Sequence, residues 1–200
     1  MRPLILLNPS EVLRTNLNDS IAAKQAFMVD QERLAVFESA IQIIAKSYRS
    51  GGRLYIAGNG GSAADAQHLA AEFVSKLARD RDPLPAEALT VDSSILTAIG
   101  NDYGFDKVFS RQIQGKMSEK DVFLGITTSG NSPNILEALK MCRSRNIPSI
   151  AFSGRDGGKV KAEADYCIVV AGDKTSVIQE LHIVLAHTLC ECIENEIFGN

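Results

Sequence analysis

The spacing of apolar residues changes character at about residue 50. Before it, residues 11–49 contain no Gly and no Pro. Leu13, Leu17, Ile21 and Met28 form one stripe at near-helical spacing, and Leu34, Phe37, Ile41, Ile44 and Tyr48 form a second. Such spacing gathers the apolar side chains on one face of a helix. It predicts two amphipathic helices, broken near Asp30 and stopped at Gly51-Gly52. After Arg53 the pattern becomes short apolar runs: Leu54–Ala57, Ala88–Val91, Val122–Ile126, Ile150–Phe152 and Cys167–Val170. Helical segments fill the gaps at 62–79, 93–100, 105–117, 132–145 and 157–163, while Asp80–Pro85 reads as a polar turn. Wholly apolar strands separated by helices mean a parallel sheet covered on both faces. The expected fold is therefore α/β, a doubly wound sheet of about five strands. The last segment, Thr175–Phe198, reads as one long helix that is apolar around much of its circumference. An arc that wide is buried on more than one side, and part of it is expected to pack against another subunit, the alternative being that it packs under residues 11–49 of a monomer.

Composition narrows the function. The 200 residues carry a net charge of −3, with no Trp and 6% aromatics. A nucleic-acid partner would need a concentrated basic surface, and a base-stacking platform would need more aromatics, so neither is expected. No apolar run reaches the roughly 18 residues of a membrane span, so no membrane partner is expected. The run Leu4-Ile5-Leu6-Leu7 ends at Asn8-Pro9, short of a signal peptide. Cys142, Cys167, Cys190 and Cys192 form no CxxC pair and read as reduced thiols in a cytoplasmic protein.

Three groups of residues carry candidate chemistry. The first strand runs into Gly58-Asn59-Gly60-Gly61-Ser62 and then a helix. Glycines there permit close backbone approach to an anion at a helix start, or simply a tight strand-to-helix turn. The third strand runs into Thr127-Thr128-Ser129-Gly130-Asn131-Ser132. Its four hydroxyls at a helix start suit a phosphate monoester, although Ser132 alone could serve as a helix cap. His68 and Glu72 lie four apart, on one helical face, where they can chelate a divalent metal or merely bond to each other. Gln179 and His187 are two further polar groups on the apolar last helix. Eight residues rotate a helix by about 800°, so the two stand about 80° apart and about 12 Å along the axis. His182, the remaining histidine, is expected to be a satisfied core or interface residue.

These motifs, in this order, resemble the sedoheptulose 7-phosphate isomerases (phosphoheptose isomerases) of the sugar isomerase (SIS) superfamily. The resemblance rests on Arg53–Ser75 with its Gly-rich loop, His68 and Glu72. It also rests on Leu96–Asp102, the Thr127–Ser132 loop, Asp156-Gly157-Gly158, and Ile178-Gln179-Glu180 with His187. It implies a flavodoxin-like SIS domain over 51–200. Helices in 1–50 would pack on the core or on a neighbouring subunit of a homotetramer. It implies one zinc (Zn2+) per subunit, held by His68, Glu72, Gln179 and His187. It implies sugar-phosphate contacts from Asn59, Gly60, Gly61, Ser62, Glu72, Asn101, Asp102, Thr127, Thr128, Ser129, Ser132 and Gln179, with Glu72 and His187 as the acid/base pair. Thr127 and Lys76 replace the Ser and Arg common in the family, and Val177 stands where many members have Arg.

The implied activity is conversion of sedoheptulose 7-phosphate to D-glycero-D-manno-heptose 7-phosphate for a bacterial surface polysaccharide. The rival reading is a non-enzymatic regulator of the same family that binds the replication initiator. That regulator lacks an acidic residue at the position of Glu72, so Glu72 favours the enzyme.

Overall fold

The computed structural model describes residues 8–199, so the Leu4–Leu7 run lies outside the described residues. Two helices open the chain, α1 (Pro9–Met28) and α2 (Gln31–Arg49). Asn8 caps α1 with Pro9 at its first turn, and Asp30 caps α2 by accepting from the Arg33 amide at 3.1 Å. The break near Asp30 is thus a helix N-cap, where a short carboxylate satisfies an amide that the helix cannot.

Five parallel strands follow, in the order β2-β1-β3-β4-β5. They are β1 (Leu54–Gly58), β2 (Ala86–Ala88), β3 (Val122–Thr127), β4 (Ser149–Gly154) and β5 (Tyr166–Val170). Between and after them come α3 (Gly61–Val74), α4 (Ser93–Tyr103), α5 (Ser110–Lys116), α6 (Pro133–Ser144), α7 (Val160–Glu163) and α8 (Thr175–Phe198). Alternate strand residues face opposite layers. Leu54, Ile56, Leu124, Ile126 and Phe152 pack with α2, α3 and α8. Tyr55, Ala57, Phe123 and Ala151 pack with α5 and α6. Both strand faces are buried, which is why the strands read as unbroken apolar runs.

Several boundaries differ from the sequence reading. β2 covers 86–88 rather than 88–91, because the chain must turn at once into α4, which Asp92 caps through the Ile95 amide. Val91 is accordingly 60% exposed. α3 ends at Val74, not 79, since residues 75–85 must cross to the sheet edge. The segment 105–117 divides into a 3₁₀ turn (Phe105–Lys107) and α5. Only Val160–Glu163 of 157–163 is helical, because Gly157 and Gly158 have φ of 93° and 56°.

The long last helix is covered in large part by its own chain. α8 packs on α1, α2 and α3 within the same chain. Leu189 and Ile193 are fully buried there, so helices of the same chain cover that part of its apolar arc, while Val184 stays 48% exposed. Its length and mean hydropathy of 1.2 would suit a membrane span, contrary to the sequence reading, but half of that window lies inside the protein core. The uncovered apolar stripe is on α1 instead. Leu13, Leu17, Ile21 and Met28 are 51–69% exposed, while the opposite face of α1 buries Ala23 and Phe27.

Candidate active site

β1 and β3 are neighbours in the sheet, yet α3 and α6 leave them for opposite faces. This is the topological switch point, where a crevice opens outside the carboxyl ends of the strands. Both candidate loops lie there. The amides of Asn59 and Asn134 join them by two reciprocal hydrogen bonds of 2.9 and 2.8 Å. Asn134 was not foreseen from sequence. It is almost fully buried and takes the one arrangement in which each amide group both donates and accepts.

The Gly58–Ser62 loop is first of all a tight turn. The amides of Ser62 and Ala63 fold back onto the carbonyls of Asn59 and Gly60 at 3.1 Å. A Cβ at Gly58 would lie 2.4 Å from the Ser62 carbonyl oxygen, so glycine is required by the close approach. At Gly61 a Cβ would lie 2.3 Å from Nε2 of Gln179. The start of α3 is thereby open to the α8 side chain predicted to share its site.

In the second loop, the Thr127 and Ser132 hydroxyls are 2.9 Å apart, and the Ser129 hydroxyl accepts from the Asn131 amide at 3.2 Å. Ser132 occupies the N-cap position of α6 but makes no capping bond through its side chain. Its hydroxyl is instead bonded to that of Thr127 across the loop. The Asp156-Gly157-Gly158 segment supports the loop from behind. The Val160 amide donates to the Gly130 carbonyl at 3.0 Å and the Lys159 amide to Asn131 Oδ1 at 3.2 Å.

α3 and α8 both start at strand carboxyl ends and run side by side. Their middle turns bring together His68, Glu72 and His187, whose ligand atoms all lie within 4.8 Å of one another. His68 Nε2 is 2.9 Å from His187 Nε2 and 3.5 Å from Glu72 Oε1. The rings meet edge to face, with centroids 5.1 Å apart. Two imidazole nitrogens and a carboxylate oxygen with convergent lone pairs are a donor set that suits zinc. The other reading, a simple His68–Glu72 bond along one helix, does not account for His187 turning its ring nitrogen to the same point. Gln179 stands at Gly61, two turns above on α8, in keeping with the 12 Å offset.

Asn101 and Asp102 lie on α4, exposed, with the Asn101 amide donating to Asp102 Oδ1 at 2.7 Å. Among the described residues no hydrogen bond connects them to the other site residues, and α4 has no fully buried residue. His182 is a core residue but only half satisfied, since its buried Nδ1 has no hydrogen-bond partner among the described residues. It is 1% exposed, its Nε2 donates to the Ser153 carbonyl at 3.1 Å, and burial pushes its pKa down to about 4. Cys142 and Cys190 are buried thiols pushed up to about 12 by desolvation, which leaves them unreactive filler.

Comparison with known proteins agrees with this architecture. The SIS domain family matches residues 18–154. A phosphoheptose isomerase of Aneurinibacillus thermoaerophilus is 47% identical over 191 residues, 96% of each chain. The solved structure of a phosphoheptose isomerase from Neisseria gonorrhoeae superposes with a TM-score of 0.86 at 43% identity, covering 94% of this chain and all of the other. One from Francisella tularensis gives 0.89 at 32% identity with the same coverage. With its loops at the switch point and its two-histidine, one-glutamate cluster, the chain belongs to the phosphoheptose isomerases of the SIS domain family.

Proposed function

We propose that the protein is a cytoplasmic, zinc-dependent homotetrameric isomerase that interconverts sedoheptulose 7-phosphate and D-glycero-D-manno-heptose 7-phosphate, supplying heptose for a surface polysaccharide. The observation that carries this reading is the convergence of His68, Glu72 and His187 on one point, in a chain whose β3 ends in a four-hydroxyl loop. A ketose-to-aldose shift removes a proton from C1, moves one between the C1 and C2 oxygens, and returns a proton to C2. Glu72 takes and returns the carbon-bound proton, and His187 serves the oxygens. Thr127, Thr128, Ser129 and Ser132 hold the phosphate, and Asn59, Gly60, Gly61 and Ser62 line the opposite wall. Asn101, Asp102 and Gln179 contact the sugar hydroxyls.

His68, Glu72 and His187 are the residues that would hold zinc, which would supply charge stabilisation of the substrate oxygens; Gln179, the fourth ligand that the resemblance implies, stands two turns away at Gly61. A carboxylate bound to a metal is a weaker base, so Glu72 must be free of the metal while it moves the proton. The unpartnered apolar stripe of α1 and the open flank at α4 support the homotetramer. Glu72 supports the enzyme over the regulator. The deciding experiment follows aldose formation from sedoheptulose 7-phosphate by the purified protein. Turnover lost in Glu72→Gln with substrate binding retained is the expected result; wild-type protein without turnover would return the regulator to first place.

A further inference from the structure

Below the His68–Glu72–His187 cluster, α3 and α8 are joined by a buried ion pair whose side chains are 2% and 1% exposed, Arg81 and Glu194. Arg81 comes from the crossing loop after α3. Its Nε and one terminal nitrogen reach Glu194 Oε1 at 2.9 and 2.8 Å. The other face of the same guanidinium caps the carboxyl end of α3, donating to the Glu72 carbonyl at 2.9 Å and the Phe73 carbonyl at 2.6 Å. The Leu77 amide also donates to Glu194 Oε1, at 3.3 Å. Glu194 lies seven residues after His187, a rotation of about 700°, so both project from nearly the same face of α8 toward α3. One rigid fork therefore grips the backbone of Glu72 and the helix that carries His187.

We infer that Arg81 and Glu194 are positioning residues that set the spacing of α3 and α8 at the His68–Glu72–His187 cluster. The inference rests on the reading of that cluster as a metal and proton-transfer site. An ordinary stabilising role explains it less well. Buried ion pairs contribute little net stability against apolar replacements, because desolvation offsets their attraction. Among the described residues one carboxylate oxygen, Glu194 Oε2, has no hydrogen-bond partner, which adds to that cost. What the pair provides is geometry: a planar group with fixed donor directions that a lysine cannot reproduce. Partners outside the ligand shell commonly change metal affinity about 10–100-fold when removed.

The test uses full-length Arg81→Met/Glu194→Leu, which removes both charges together so that neither is left buried alone, with Arg81→Lys as a milder second variant. Folding is checked by circular dichroism and thermal unfolding of the metal-free protein. Zinc affinity is measured by competition with a chromophoric chelator. Ring nitrogen resonances of the three histidines are recorded at one pH in the metal-free protein. Expected are a cooperatively folded metal-free protein, at least 10-fold weaker zinc binding, and shifts at His68 and His187 with His182 unchanged. Wild-type zinc affinity and unmoved His68 and His187 resonances in both variants would overturn the inference. Zinc binding that survives His68→Ala would sink the metal reading itself, and the ring resonances would still judge the clamp.

Discussion

Glu72 directs a carboxylate oxygen at His68, 3.5 Å away, in the same cluster as His187. Glu72→Gln keeps its volume and removes its basicity, so kcat should fall about 10²–10⁴-fold with KM changed little. Unchanged kcat would place the base elsewhere. Metal analysis should find about one zinc per chain in wild type and none in His68→Ala/His187→Ala, and equal contents would refute the ligand assignment. His182 titrates in the opposite setting, a dry core. Its native pKa of about 4 lies below the 6.5 of an unfolded histidine. The unfolded chain thus binds the proton first as pH falls. The stabilisation is complete above about pH 6.5 and is lost progressively down to about pH 4, amounting to roughly 3 kcal/mol. Urea unfolding of metal-free wild type and His182→Gln should therefore converge on acidification. Parallel pH curves would show that His182 does not titrate in this range.

At the scale of elements, loops hold the chemistry and neighbouring backbone holds the loops. Gly130 has φ of 67°, and a Cβ there would lie 2.1 Å from the Gly157 carbonyl oxygen. Gly130→Ala must displace the phosphate loop from its support, so a loss of about 1–3 kcal/mol and a raised KM are expected. Gly115 offers the control. It lies in α5 with open space around it and an ordinary φ, so Gly115→Ala should stabilise by about 0.5 kcal/mol. Thermal unfolding of both variants beside KM for the sugar phosphate checks the contrast. Equal effects would mean that the Gly157–Gly158 buttress does not support the loop. The hydroxyl loop itself was legible from residue type alone. Its support was only partly so, because Asp156-Gly157-Gly158 read as the start of a helix.

At the scale of the molecule, apolar surface without a partner is concentrated on α1. Leu17 and Ile21 are about half exposed, so Leu17→Glu/Ile21→Glu should leave the subunit fold intact while charging the stripe. Light scattering should show wild type as a tetramer and the variant as smaller species, with isomerase activity lost together with assembly. A wild-type monomer, or a variant that keeps its mass, would refute this. Leu189→Glu or Ile193→Glu on α8 would unfold the subunit instead, because both residues are in its own core.

Local chemistry and period determined a great deal before any coordinates. Apolar runs too uniform for a half-exposed sheet required helices on both faces, and Asp30 marked a helix start because a short carboxylate satisfies free amides. The i,i+4 spacing of His68 and Glu72 fixed their common face whatever the fold. Distances between elements were beyond such reasoning. The sequence distance from His68 to His187 says nothing about their 2.9 Å separation, which exists only because α3 and α8 both start at strand carboxyl ends and pack together on one face of the sheet. Asn134, Arg81 and Glu194 were missed for the same reason. Each is polar and unremarkable in sequence, and each acquires its role from a partner that packing alone supplies. The only available signal was Glu194 recurring two helical turns after His187 on an apolar helix, where a buried carboxylate must have a cation. Which helix covers α8 was likewise decided by tertiary structure. An amphipathic stripe states that something must be buried, and only the packed chain shows that the opposite face of α1 went inward.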